Sequence, residues 1–137
     1  MPRLGDIRFS AEDRLSAEQF IDILKRSRLA ERRPVEDAER MESMVAGAGV
    51  IVTAWHGRLL VGVSRAISDF AYCTYLSELA VDETYQGLGI GRALVRRTRN
   101  AVKRRGKLVL LAAPAAEGYY PHIGMSKHDS CWVLDGE

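Results

Sequence analysis

Apolar and polar positions follow two different periods along the chain, and the change of period divides it. From Ser16 to Gly49 the spacing is helical: Phe20, Ile23 and Leu24 fall on one face, and Val35, Ala38, Met41 and Val45 on another. Ser16 followed by Gln19 has the form of a capping box and predicts a helix over about residues 16–28. Pro34 suits the first position of a second helix, which Gly47 or Gly49 closes. Ile7-Arg8-Phe9 precedes both as a short strand.

From Val50 the pattern turns to β. Val50 to Trp55 is rich in β-branched residues, His56-Gly57 reads as a hairpin turn, and Leu59 to Ile67 returns as a second strand. Ser68-Asp69 turns the chain again, and Tyr72 to Val81 forms a third strand of this group. A glycine cluster at 87–91 then leads into a helix from about Ile90 to Arg105, with Leu94, Thr98, Ala101 and Val102 inward and the arginines outward. Gly106 ends that helix. Leu108 to Ala112 has the unbroken apolar character of a strand buried on both faces. A short helix over Ala115 to Tyr119, limited by Pro121, and a last strand at Cys131 to Leu134 complete the order β-α-α-β-β-β-α-β-α-β. With no repeat, low-complexity stretch or linker, residues 1–137 read as a single α/β domain around a mixed sheet.

Composition changes this picture little. The 137 residues are 47% apolar and 28% charged, enough for a core without disulfide or metal staples. No apolar run approaches the roughly 18 residues of a membrane span, and the first residues lack a signal-peptide stretch. Two cysteines, Cys73 and Cys131, have no metal-ligand spacing, so no metal is expected, and a reducing cytoplasm is the expected location. Twenty basic and 18 acidic residues leave a net charge of +2. The distribution says more: eight Lys and Arg lie between Arg92 and Lys107 with no acidic residue among them. An anionic ligand is expected near that helix. Few aromatics accompany those arginines, which disfavours a nucleic-acid partner.

The segment Leu79-Ala80-Val81-Asp82-Glu83-Thr84-Tyr85-Gln86-Gly87-Leu88-Gly89-Ile90-Gly91-Arg92 carries the candidate chemistry. A strand, a short connector and a glycine-dense helix start leave backbone N–H groups uncovered at the positive end of a helix dipole, which suits phosphate. The glycines could equally do no more than turn the chain. Neither a P-loop nor a dinucleotide fingerprint can be drawn through the segment, since Arg92 stands where the third glycine of the latter belongs.

Gln86-x-x-Gly89-x-Gly91 resembles the acetyl-CoA loop of the GNAT superfamily of N-acetyltransferases, which runs Arg/Gln-x-x-Gly-x-Gly/Ala. The preceding Leu79-Ala80-Val81-Asp82 is similar to the family's fourth strand, and Tyr119-Tyr120-Pro121-His122-Ile123-Gly124-Met125 resembles its Phe-Tyr-x-x-x-Gly-Phe. The resemblance implies a GNAT-like fold, with a mixed sheet of about six or seven strands flanked by about four helices. It also implies acetyl-CoA as donor. The pyrophosphate would lie on N–H groups from Gly87, Leu88, Gly89, Ile90 and Gly91, extending to Arg92, with Gln86 opening the loop. Pantetheine would run along Leu79, Ala80 and Val81 as an added strand. The departures are Ala113 in place of an asparagine, Met125 in place of a phenylalanine, and Pro121 directly after the catalytic-tyrosine position.

Acetyl transfer to an amine needs a neutral amine, stabilisation of the thioester oxygen, and a proton for the departing thiolate. By position Tyr120 matches the family's general acid, the alternative being a structural tyrosine. Tyr119 is expected to pack beside it. Glu78 is the one acid in its strand and suits a general base, because a poorly solvated carboxylate accepts protons readily. A structural ion pair with an arginine is the equal alternative for Glu78. The expected function is acetyl transfer from acetyl-CoA to a small-molecule or protein amine by direct attack in a ternary complex. The alternative is a non-catalytic acyl-CoA-binding domain. A homodimer is compatible with the resemblance.

Overall fold

The computed structural model describes residues 1–104 and 106–136. Five strands form one mixed sheet: β1 (Ile7–Ser10), β2 (Val50–His56), β3 (Leu59–Ser68), β4 (Cys73–Val81) and β5 (Lys107–Val109), in that spatial order. The first four pair antiparallel; β5 pairs parallel to β4. Helices α1 (Ala17–Arg26) and α2 (Ala38–Ala46) cover one face, α3 (Ile90–Ala101) covers the other, and α4 (Tyr119–His122) is a single turn.

The helical elements follow from local chemistry. Ser16 Oγ accepts from the Gln19 N–H at 3.0 Å and Gln19 Oε1 accepts from the Ser16 N–H at 2.9 Å, closing the expected capping box. Phe20, Ile23 and Leu24 of α1 are fully buried against Leu60, Val63 and Ala80 of the sheet. On the opposite face Gly62 lets α3 approach: a Cβ there would stand 3.2 Å from both Ile90 and Leu94. The buried Thr98 hydroxyl of α3 donates to the Leu94 carbonyl at 2.8 Å and meets Ser64 Oγ at 2.6 Å, so its polar group is satisfied.

Several expectations need correction. Among the described residues the sheet has five strands rather than six or seven, because Cys131 to Leu134 run as irregular chain with Trp132, Val133 and Leu134 exposed. In consequence β5 is an edge strand: only Lys107 to Val109 pair, and Val109 and Leu111 are about half exposed rather than buried on both faces. Helix α3 stops at Ala101, short of Arg105, because Lys103 and Arg104 adopt left-handed φ of 57°. Gly106 completes that turn at φ 63°, where a Cβ would overlap the Tyr72 carbonyl. Pro34 precedes α2 instead of opening it, and Asp37 caps the helix by accepting from the Arg40 N–H. Pro121 sits inside α4, in a first turn where its missing N–H costs nothing. Among the described residues no helix is long and apolar enough to cross a membrane.

Two bulges set which side chains meet. Val61 is extra on β3 opposite Ala54/Trp55, and Ser77 is extra on β4 opposite Arg65/Ala66. Without the second bulge, Glu78 would share the α3 face with Leu76. The one-residue shift moves it onto the face of α1 and α2, while Leu79 and Val81 pack toward α3.

Candidate active site

Beyond Tyr75, β4 and β5 separate. Their pairing ends at Tyr75↔Val109, whereas β4 continues beside β3 to Val81. The stretch Leu76–Val81 therefore has a strand on one edge only, and an open cleft of ≈ 1510 Å³ runs along the other. Single-ligand pockets usually measure roughly 300–1,000 Å³, so this volume suits two ligands side by side.

At one end of the cleft β4 passes through a 3-10 turn (Glu83–Tyr85) into the glycine loop. Gly87 and Gly89 both take left-handed φ, 83° and 94°. No side chain caps α3, and its first internal bond runs from the Ala93 N–H to the Gly89 carbonyl at 3.1 Å. The amides of Ile90, Gly91 and Arg92 therefore have no intrahelical acceptor and lie at the positive end of the dipole. The buried Ile90 and Ala80 side chains belong to the core, so only their backbone can serve a ligand. Gln86 turns its amide back and donates to the Val81 carbonyl at 3.2 Å, closing the loop on the strand.

The connector is braced from α1. Arg26 donates from Nη1 to Asp82 Oδ2 and from Nη2 to the Leu60 carbonyl, both at 2.6 Å. Asp82 Oδ1 accepts from the Thr84 N–H and hydroxyl at 2.8 Å each. Burial pushes the Asp82 carboxyl up, but these hydrogen bonds and the Arg26 charge outweigh it and leave it below its ordinary value.

Both tyrosines of α4 line the same cleft. Tyr120 is half-buried and its hydroxyl is pushed above the usual tyrosine value, first by burial and then by neighbouring Tyr119. The two rings meet edge to face at 5.4 Å, as expected of a packing pair. Tyr119 does more than pack. Its hydroxyl stands where a Cβ on Gly91 would come within 2.6 Å, at the start of α3. Burial raises its value, partly offset by the charge and backbone N–H of Arg92.

Glu78, 1% exposed, is enclosed by donors. Arg65 Nε donates to Oε1; Arg33 Nε donates to Oε2 at 2.7 Å, and Ser77 Oγ donates to the same oxygen at 2.8 Å. Arg65 in turn donates to the Met44 carbonyl at 3.0 Å, and Arg33 to the Ser77 carbonyl at 2.7 Å. With both carboxylate oxygens engaged by guanidinium groups, these contacts favour the ion-pair alternative over a free base. The clamp ties the segment before α2 to the bulge of β4.

Sequence inspection missed Arg26, Arg33 and Arg65. Arg65 had a signal, as the one charge within the otherwise apolar stretch Leu59–Ile67. Arg33 and Arg26 had none, because their partners lie 45 and 56 residues away.

The sequence profile of the Acetyltransferase (GNAT) domain matches residues 14–136. GCN5-related N-acetyltransferase 2, chloroplastic, of Arabidopsis thaliana is 36% identical over 67 residues, which are 47% of this chain but only 26% of that protein. The chain thus matches about a quarter of that relative's length. Among solved structures, a GNAT-family acetyltransferase of Streptococcus pneumoniae superposes with a TM-score of 0.76 at 19% identity, covering 95% of this chain and 99% of that one. A predicted acetyltransferase of Clostridium acetobutylicum, crystallised with acetyl-CoA, gives 0.74 at 16% identity, covering 94% and 96%. At such identities the structures speak for the fold.

Proposed function

The chain belongs to the GNAT acetyltransferase family, and we propose that it transfers the acetyl group of acetyl-CoA to an amine of a small molecule or protein. The observation that carries this proposal is the divergence of β4 from β5 at Tyr75, with the uncapped start of α3 at the end of the exposed edge.

The residues present fit the donor. A free strand edge over Leu79, Ala80 and Val81 suits the alternating amides of pantetheine, and the N–H groups from Gly87 to Arg92 suit the pyrophosphate. Bound there, acetyl-CoA supplies an activated thioester. A backbone N–H near Leu79 serves as donor to the thioester oxygen as charge builds on it. Tyr120, its hydroxyl raised above the ordinary value, stays protonated throughout the neutral range and gives its proton to the departing sulfur. Glu78 acts by fixing the wall that faces the amine. The amine attacks directly, with donor and acceptor together in the one cleft, and loses its proton to water rather than to Glu78.

The test is release of CoA thiol on mixing the protein with acetyl-CoA and a panel of primary amines. Turnover of some amine is expected, and Tyr120→Phe should lower it by at least about 100-fold, the lower range for a lost general acid, while acetyl-CoA still binds. Full activity in Tyr120→Phe would remove Tyr120 from the reaction. Tight acetyl-CoA binding with no thiol release across the panel would favour a non-catalytic acyl-CoA-binding domain instead.

A further inference from the structure

The half of the cleft away from the α3 loop is walled by the segment between α1 and α2, and that wall is rich in arginine. Arg28, Arg32, Arg33 and Arg40 line it, against the carboxylates of Glu31 and Glu78, and Glu83 of the loop connector also lines the cleft, close enough to act on Arg28. The acids of α2 and its approach, Glu36, Asp37, Glu39 and Glu42, do not line the cleft.

Pairing removes only part of this positive charge. Arg28 is matched by Glu31 at 3.0 Å. Glu78 is shared by two guanidinium groups, so with Arg65 behind it Arg33 keeps a net positive charge at the cleft wall. Its three side-chain bonds, to Glu78, the Ser77 carbonyl and the Arg32 carbonyl, hold it in place and leave two of its five N–H groups without an acceptor among the described residues. Among the described residues no carboxylate lies in ion-pair range of Arg32 or Arg40. With Glu83 counted, the five guanidinium groups of Arg28, Arg32, Arg33, Arg40 and Arg65 face three carboxylates, an excess of two positive charges, and Arg33 is largely buried and clamped. An acceptor carrying a second positive charge would be repelled there, while a carboxylate or phosphate would meet planar donors suited to it.

We infer that the acceptor is an amine bearing an anionic group, a carboxylate or a phosphate, held by Arg33 with Arg32 and Arg40 while its amine reaches the β4 edge. This inference rests on the acetyl-transfer proposal above and deepens it.

The test compares three amines of one chain length: 4-aminobutyrate, butylamine and putrescine, whose far ends are anionic, neutral and cationic. Each is measured by kcat/KM for thiol release and by calorimetric titration into protein saturated with CoA. O-phosphoethanolamine against ethanolamine separates phosphate from carboxylate preference. The expected order is 4-aminobutyrate, then butylamine, then putrescine, with the first step at least about tenfold, the scale of one hydrogen bond to a charged group. In an Arg32→Gln/Arg40→Gln variant the ratio of 4-aminobutyrate to butylamine should fall toward one, and the wild-type ratio should fall with added salt. Equal behaviour of the three amines, or a preference for putrescine, overturns the inference while leaving acetyl transfer standing. If acetyl-CoA itself fails to bind, the acetyl-transfer proposal fails, and the same titrations into the free protein still decide whether the wall prefers an anion.

Discussion

Glu78 shows how one residue's role depends on a register the sequence does not display. In sequence it is an isolated acid in an apolar strand, as suited to accepting a proton as to pairing. The extra residue at Ser77 turns it onto the α1/α2 face, where Arg65 lies directly across on β3 and Arg33 reaches in from the segment before α2. Its loss would leave two guanidinium groups facing one another, Arg65 buried and Arg33 largely so. Glu78→Gln should therefore cost about 3–5 kcal/mol of stability, the usual penalty for breaking a buried pair, as read by urea unfolding. The acidic limb of the rate–pH profile should keep its shape. A stability loss under about 1 kcal/mol together with a flattened acidic limb would instead make Glu78 the base.

At the scale of elements, what was legible was what local chemistry decides. The capping box at Ser16, the buried face of Phe20, Ile23 and Leu24, and the glycine-to-helix junction all follow from neighbours within a few residues. The misjudged elements depend on distant partners. An apolar run such as Leu108 to Ala112 reads the same in a central strand as on an edge beside a cleft. Which it becomes depends on whether Cys131 to Leu134 pair with it, and in this fold they do not. Likewise α3 ends where Arg99 Nη2 bonds the carbonyls of Arg104 and Gly106, at 3.2 and 2.5 Å, a turn that periodicity alone does not reveal. The brace between α1 and the loop connector makes a prediction at this scale. The Asp82 carboxyl lies below its ordinary value, so its contribution is present above about pH 4, the unfolded value, and is lost as pH falls through the lower folded value. Asp82→Asn should lower the melting temperature near neutrality and flatten its fall below about pH 4. A parallel fall in variant and wild type would mean that Arg26–Asp82 contributes nothing to acid stability.

Across the whole molecule, a small net charge of +2 hides two basic regions at opposite ends of one cleft. One surrounds the α3 start, where Arg92 lines the cleft; the other is the arginine wall between α1 and α2. The first was legible in sequence, because its glycines and arginines are contiguous. The second was not, because Arg32, Arg33 and Arg40 become one wall only when the segment before α2 is clamped to β4 through Glu78. The proposed acetyl transfer depends on the α3 start holding the diphosphate of acetyl-CoA, and a pair of substitutions at Gly89 isolates that contact. Gly89 has left-handed φ, which Asn and Asp tolerate about equally, and a Cβ there would approach only Leu4, at 3.6 Å. Asn and Asp also have nearly the same shape, so the two variants differ chiefly in charge. Calorimetric titration with acetyl-CoA should give Gly89→Asp an affinity at least about tenfold below that of Gly89→Asn at equal thermal stability, as a carboxylate opposes the phosphates. Equal affinities in the two folded variants would contradict the account, because the donor's charge would then lie somewhere other than the start of α3.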